Sequence, residues 1–242
     1  MIALLKKEIN LFFSSVTGYL VVILFLIVNS VFLWLIPGDN FLEWGYADLT
    51  RMFENAPYVF LLLIPAITMR SFADEKNTGT LETLITKPIS ETQIILAKYL
   101  AALALVIFAL FPTLIYYYTL YQLGNPVGNI DSAAVAGSYL GLVLLASVYV
   151  AIGVFASSLA ENQIVSMLIA FALCLFVSEG FQMLAGLKLF QNMNLLITNL
   201  GIRSHYISIS RGVIDTRDLV YFISANVIFL LGTKTMLQKR NW

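Results

Sequence analysis

Long runs without a charged side chain constrain this chain more than any other feature of its sequence. No Asp, Glu, Lys or Arg stands between Glu8 and Asp39, or between Lys98 and Asp131. A helix needs about 20 apolar residues to cross the hydrocarbon core of a bilayer, where no water can satisfy an open backbone. Because each run is long enough for such a helix, the two runs predict helices that cross a membrane.

The overall composition supports the same class of protein. Hydrophobic residues make up 60% of the 242 residues and charged residues 12%, and the mean hydropathy is +0.86. Soluble domains carry about 25% charged residues. The net charge is zero, which argues against nucleic acid as a partner. The lone Cys174 excludes an internal disulfide, and no group of His, Cys, Asp and Glu has the spacing of metal ligands.

We predict an all-α integral membrane protein with six transmembrane helices in a single domain covering residues 1–242. Residues 1–16 place apolar side chains on one face and Lys and Glu on the other, which predicts an interfacial helix; a plain extension of the first span is the alternative. Residues 185–217 alternate short apolar groups with Asn, Gly and Arg, and predict surface or partly re-entrant helices. The predicted spans are about 17–36, 57–70, 94–121, 133–158, 163–184 and 219–237.

The basic residues predict the orientation of these six spans. One face collects nine of them: Lys6, Lys7, Arg70, Lys76, Lys87, Lys98, Lys234, Lys239 and Arg240. The other face collects five: Arg51, Lys188, Arg203, Arg211 and Arg217. Cytoplasmic loops carry the excess of Lys and Arg, so the first face, with both termini, is predicted to be cytoplasmic.

The segment 71–93 interrupts the apolar pattern between the second and third spans. Thr80 can cap a short helix that Pro88 ends, because a residue before proline avoids the α region. Leu81, Leu84 and Ile85 then fall on one face of it. This helix is either separate or simply the end of the second span. A capping-box pattern at residues 90–93 predicts where the third span begins.

The chain carries no recognisable catalytic motif. It has no G-x-x-x-x-G-K-[ST] phosphate loop, no H-E-x-x-H and no G-x-S-x-G, so it is predicted not to hydrolyse ATP itself. Three polar residues within or near the spans are candidates for lining a path: Asn29, Glu179 and Asn226. Interhelical hydrogen bonds explain the asparagines equally well, and Glu179 can instead face water or lipid headgroups at the interface.

The segment 71–93 resembles the cytoplasmic signature of ABC-2 type permeases, the membrane subunits of ABC transporters. The pattern E-K-x-x-G-T-L-E-x-L-x-x-x-P is carried by Glu75, Lys76, Gly79, Thr80, Leu81, Glu82, Leu84 and Pro88. The start LLKKEINLFFSS and the run SHYISISRGVIDTRDLVYF look closer still to the permease F subunit of gliding-motility ABC systems. Permeases of copper-processing systems have a similar ending.

The resemblance implies partners and a mechanism. Two permease chains, identical or different, pack together in the cytoplasmic (inner) membrane, and a separate ABC ATPase binds ATP and Mg²⁺. The short helix at Thr80 docks in a groove of that ATPase. Its docking face would be apolar, with charged residues pairing at the rim: Leu81, Leu84 and Ile85 on the face, Glu75, Lys76 and Glu82 at the rim. The family's outer re-entrant hairpin would fall within 185–217.

Two functions follow as hypotheses. The first is a permease subunit that translocates or extracts a substrate, in gliding motility or an associated secretion, when a separate ATPase drives it. The second is a membrane anchor or scaffold of a motility or secretion machine without a substrate of its own. Under either hypothesis, charged residues at Leu81 and Leu84 are expected to release the ATPase and leave the chain folded.

Overall fold

A computed structural model describes residues 1–37, 40–41, 43, 45–86, 88–188, 193–212 and 215–239. The side chains of Thr17 and Ile85 lie outside the described part of the chain. So do Lys87 and Arg240, two of the basic residues that predict the orientation. Over the described ranges the chain is helical and has no strand. Six helices are long and apolar enough to cross a membrane, which confirms the predicted fold class: Gly18–Leu35, Thr50–Asn77, Glu91–Leu123, Ser132–Leu159, Gln163–Ala185 and Thr216–Lys239.

The N-terminal helix is separate from the first span. Helix α1 (Ile2–Phe13) ends at a break, and α2 (Val16–Ser30) follows and continues as a π-helical turn (Val31–Leu35). The Ser15 hydroxyl caps α2 by accepting a hydrogen bond from the Gly18 amide, at 3.2 Å. Since α1 packs mainly on the third span, it is not a plain extension of the first.

The second span begins earlier than predicted. Helix α3 (Thr50–Thr68) starts before residue 57, the predicted start of the span, so that Pro57 lies in its interior. A proline has no amide hydrogen, which frees the carbonyl four residues before it. The Tyr206 hydroxyl donates to that carbonyl, Phe53 O, at 2.5 Å. Burial raises the pKa of Tyr206, so the phenol keeps the proton that it donates.

The segment after α3 contains two further helices. Helix α4 (Arg70–Asn77) extends the second span beyond its predicted end, and α5 (Thr80–Ile85) is a separate helix. Gly79, and not the predicted Thr80, is the N-cap residue of α5; it has φ +68°, a left-handed conformation that glycine adopts at little cost. The third span then begins with the predicted capping box, in which Ser90 and Gln93 bond each other's backbone amides.

The remaining spans pack around α8. The third span is formed by α6 (Glu91–Leu110), a 3₁₀ turn at Phe111–Thr113 and α7 (Leu114–Leu123). Helix α8 (Ser132–Leu159) is the most buried of the six spans, with 78% of its most apolar 18-residue stretch buried, and it packs on α3, α6, α9 (Gln163–Leu175) and α13 (Thr216–Lys239). The fifth span contains α9 (Gln163–Leu175), a π-helical turn (Phe176–Gly180) and α10 (Phe181–Ala185).

Two short helices precede the last span. Helices α11 (Asn194–Leu200) and α12 (Ile202–Ser210) lie between α10 and α13 (Thr216–Lys239). Helix α12 is not on the surface: Ile202, Tyr206 and Ile209 are buried, and the helix packs on α8. Small residues of α8 permit this approach, because a Cβ added at Gly141 would lie 3.0 Å from Ile209.

Candidate coupling segment and cavity

The segment 71–93 is attached to α8 through backbone hydrogen bonds. Ser157, near the end of α8, accepts from the amides of Phe72 and Ala73 at 2.9 and 3.1 Å and donates to Met69 O at 3.1 Å. The Ser157 side chain therefore satisfies backbone groups at the α3–α4 junction that would otherwise be buried without a partner.

A buried cluster of charges joins α1, α4 and α6. Lys98 is 3% exposed, and its ammonium lies 3.1 Å from Glu8 and 2.9 Å from Glu75. The same ammonium lies 5.2 Å from the centre of the Phe72 ring. Lys7, largely exposed, is 3.8 Å from Glu8 and 3.6 Å from Glu75. Because each buried charge has an opposite charge beside it, the cluster fixes how these three helices meet.

Two more residues of α4 attach it to neighbouring helix ends. Lys76 donates to the carbonyl of Ser158, at the C-terminal end of α8, where the helix dipole favours a cation. Asp74 accepts from the side-chain amide of Gln163, the first residue of α9, and Gln163 accepts from Arg70 at 3.2 Å. The continuation of the second span, α4, is thus attached to α1, α6, α8 and α9.

The apolar face of α5, predicted to face the ATPase, is turned into this chain instead. Leu81 is 2% exposed and Leu84 is 7% exposed, because both pack into the core of this chain. The Ile85 side chain lies outside the described residues. The three charged residues predicted at the rim do not behave alike. Glu75 pairs with Lys98 and Lys76 bonds the Ser158 carbonyl, whereas Glu82 is exposed. Helical spacing identifies an apolar face but does not show which molecule covers it.

The outward side of the signature is polar. Thr80, Glu82 and Pro88 are exposed, together with Thr83 of the same helix. Gly79 serves as the turn that separates α4 from α5. A partner that binds this surface meets hydroxyl groups and a carboxylate.

A cavity of about 1400 Å³ opens at the opposite end of the helices. Its lining includes Ala134 and Tyr149 of α8, a separation of roughly 22 Å along a helix. Tyr149 lies beyond the midpoint of that span, so the cavity reaches deep between the helices. Its lining is rich in aromatic and charged side chains: Phe41, Tyr46, Phe53, Tyr58, Tyr149, Tyr206, Asp48, Glu54, Asp131, Glu179, Arg203 and Arg211.

Of the three candidate path residues, only Glu179 lines this cavity. Its carboxylate oxygen Oε2 accepts from Arg203 Nη1 at 2.6 Å, and the guanidinium lies 5.7 Å from the centre of the Tyr58 ring. No local pattern in the sequence identifies Arg203 as the partner, because it lies 24 positions after Glu179 and in a different helix.

The two asparagines make hydrogen bonds elsewhere. Asn29 is fully buried and donates to Phe25 O within its own helix, at 2.9 Å. Asn226 of α13 donates to Ser147 of α8 at 2.8 Å and accepts from Tyr99 of α6 at 3.1 Å. Asn226 therefore makes the interhelical hydrogen bonds that were the alternative to lining a path. Neither asparagine lines the cavity.

A comparison with protein families matches nearly the whole chain. The model of the family described as ABC-2 family transporter protein covers residues 2–237, which include the segment 71–93 and the lining of the cavity. The chain belongs to the ABC-2 transporter family. No curated protein matches it. Permeases of this family typically work with an ABC ATPase partner.

Elsewhere in this ABC-2 family protein, the single histidine is held by structural contacts. His205 Nδ1 lies 2.7 Å from Asp218, Nε2 lies 2.8 Å from Asn199 O, and the ring stacks on Tyr221. Over the described part of the chain, no three His, Cys, Asp or Glu side chains are grouped so that they could hold a metal ion. The two candidate sites offer charged groups, hydrogen-bonding groups and aromatic rings.

Proposed function

We propose that this chain is the permease subunit of an ABC transporter and couples ATP hydrolysis on a separate nucleotide-binding subunit to the translocation or extraction of a substrate. The observation that carries the proposal is the attachment of the segment 71–93. Its inner side is fixed to α1, α6, α8 and α9 by charged and polar contacts, and its outer side is polar and exposed.

Helix α8 connects the segment to the cavity. Ser157 and Ser158 at one end of α8 bind α4, and Tyr149 and Ala134 of the same helix line the cavity. Packed helices move as discrete bodies because their interfaces do not deform continuously. A partner that displaces the segment therefore moves one wall of the cavity. This route gives a physical link between an ATPase on one side and a substrate on the other.

The ATPase is proposed to bind the exposed polar side of α5. Leu81 and Leu84 hold the helix on the permease, while Thr80 and Glu82 are available to a partner. Since the chain has no phosphate loop, ATP and Mg²⁺ would reside on that partner. A second permease chain, identical or different, completes the transporter in the proposal.

The cellular setting follows from charge and resemblance. The excess of basic residues on the face with the segment supports a cytoplasmic position for it, with both termini on the same side of the inner membrane. The similarity of the chain's start and of the run around His205 to gliding-motility permeases favours a role in motility or associated secretion. A scaffold without a substrate is the second candidate, supported by the same attachment of the segment.

The ATPase interaction is tested by affinity purification in mild detergent, with the retained ATPase identified by mass spectrometry. Glu82→Lys is expected to lower ATPase retention at least several-fold and to leave the thermal stability of the permease unchanged. Glu161→Lys is the matched control, because Glu161 is an exposed acid in the link between α8 and α9. If the unmodified chain retains no ABC ATPase, the proposed function is wrong.

Transport and scaffolding are separated by closing the cavity. Ala134→Trp places a large side chain at its lining and is expected to abolish substrate-dependent ATP turnover in liposomes while ATPase binding persists. A cell phenotype that survives this closure, with ATP turnover that no candidate substrate changes, supports the scaffold instead.

A further inference from the structure

We propose that the Glu179–Arg203 pair is a binding site for a zwitterionic ligand, one that carries a primary ammonium and an anionic group a few ångströms apart. Only the role of this site as the place where cargo binds rests on the proposed function. Glu179 belongs to the fifth candidate span, Gln163–Ala185. Ionisable residues within membrane spans are costly, and they commonly mark substrate or ion paths.

The local backbone supports a functional site. Glu179 lies in a π-helical turn, Phe176–Gly180, which interrupts the fifth span between two α-helical parts. Such turns are rare and often occur at functional sites. The turn places Ser178 and Glu179 together on the cavity lining.

The ion pair leaves binding capacity unused. Its one hydrogen bond joins Arg203 Nη1 to Glu179 Oε2, so the pair is not the two-point arrangement that Arg and carboxylate groups often form. The Arg203 side chain is 36% exposed and the Glu179 side chain 20%, and both line the cavity. Each group therefore retains polar atoms for a ligand.

The pairing of opposite charges selects a ligand that has both. A lone anion bound to Arg203 would compete with Glu179, and a lone cation bound to Glu179 would compete with Arg203. Either ligand leaves one partly buried charge without its partner, which is costly. A zwitterion presents its anion to Arg203 and its ammonium to Glu179, so every charge stays paired. Tyr58, beside the guanidinium, adds an aromatic ring to the site.

Two sources can supply this chemistry. A free amino acid or peptide carries an ammonium and a carboxylate, and the headgroup of phosphatidylethanolamine carries an ammonium and a phosphate. The cavity volume of about 1400 Å³ exceeds the roughly 300–1,000 Å³ of most small-molecule sites, so it has room for either source.

The test measures thermal unfolding of the purified full chain in nanodiscs of phosphatidylglycerol. Trialanine with free termini is the peptide probe, and N-acetyl-trialanine amide, which has the same side chains and no charge, is its control. Discs that contain phosphatidylethanolamine test the lipid source, and phosphatidylcholine, whose quaternary ammonium cannot donate a hydrogen bond, is the matched lipid. A saturating zwitterion is expected to raise the Tm by about 2–4 °C, since a ligand of the folded state stabilises it.

Variants of the pair decide whether the effect belongs to this site. Glu179→Gln with Arg203→Gln removes both charges without leaving one unpaired, and is expected to abolish the shift. Glu179→Arg combined with Arg203→Glu keeps an ion pair with the two charges exchanged, and this variant is expected to retain at least part of the Tm shift. Arg211→Gln changes another arginine of the lining and is the control that should keep the full shift.

Each outcome has a defined meaning. A shift with free trialanine identifies a peptide-type ligand, and a shift confined to phosphatidylethanolamine discs identifies the lipid. Equal shifts with free and blocked peptide, a shift that survives the double Gln variant, or no shift with any zwitterion overturns the site. No ATPase is present in this assay. A negative result for the ligand therefore does not bear on the purification test of the proposed function, and a negative purification test does not bear on the ligand site.

Discussion

Lys98 lies at the contact between α1, α4 and α6, with Glu8 and Glu75 within 3.1 Å of its ammonium. Replacing Lys98 with Met should leave both carboxylates without their buried cation. Breaking a buried ion pair by removing one partner costs about 3–5 kcal/mol. We expect a thermal unfolding midpoint lowered by roughly 6–20 °C, measured in the same detergent for both proteins.

Lys6→Met is the matched control for Lys98→Met. Lys6 also belongs to the basic face but is exposed on α1, so its loss should change the Tm by less than about 2 °C. Adding Glu8→Gln and Glu75→Gln to Lys98→Met should restore part of the lost stability, because neutral side chains need no cation. Equal effects of the two lysine substitutions would contradict the role given to the cluster.

Gly153 lies at a close approach of α8 to α3. A Cβ at this position would lie 2.0 Å from Thr68 Oγ1 and 2.8 Å from Thr68 Cβ. Gly153→Ala should therefore force the helices apart, at a cost of about 1–3 kcal/mol, and lower the Tm. Gly186→Ala, where the added Cβ meets its neighbours at ordinary distances of 3.5 Å or more, should not. Thr68→Ala should partly rescue Gly153→Ala, which a general loss of helix flexibility would not explain.

At the scale of single residues, the sequence could identify types of side chain better than their partners. Glu179 stood out because an acid in an apolar run is unusual, but Arg203 had no local signal of pairing with it. The two meet only because α12 packs on α8 beside the fifth span. Asn226 was ambiguous for the same reason, since Ser147 and Tyr99 are far from it in sequence.

Helix α5 shows what periodicity predicts at the scale of an element. The turn at Gly79 and the helix from Thr80 have clear local causes, a left-handed glycine and a sequence that suits a short helix. The direction of its apolar face has no local cause, because it depends on what packs against Leu81 and Leu84. The start of α3 was also missed, since Pro57 is accommodated inside it by the distant hydroxyl of Tyr206.

The burial of α5 changes the expected effect of charged substitutions. Leu81→Asp should place a carboxylate in an apolar contact and detach α5 from the core, with a loss of at least about 2 kcal/mol locally. Hydrogen exchange of the amides over residues 80–86 should become faster, as mass spectrometry of the purified chain would record. Thr83→Asp, on the exposed side of the same helix, should leave exchange nearly unchanged. Slow exchange in Leu81→Asp would show that the face is not packed as described.

For the molecule as a whole, the fold class could be predicted from the sequence, but the cavity could not. Lipid allows few solutions for an uncharged run of 20 residues, so six spans followed from length and composition. The cavity did not, because its lining comes from the second, third, fourth and fifth spans, from α12 and from the connecting loops. A site of that kind depends on how helices pack, which no single stretch of sequence encodes.

The arrangement of the six spans predicts that the segment 71–93 and the cavity open on opposite sides of the membrane. Cys174 is the single cysteine of the sequence, so a Cys174→Ala background supplies a chain without thiols. Thr83→Cys, in the segment, and Asn129→Cys, at the cavity, are both exposed positions. A membrane-impermeant maleimide should label Asn129→Cys in intact spheroplasts and Thr83→Cys only after permeabilisation, because the basic face should be cytoplasmic. The reverse pattern would show that the basic face lies outside the cytoplasm. Labelling of both positions from the same side of the membrane would contradict the arrangement of spans that separates the two sites.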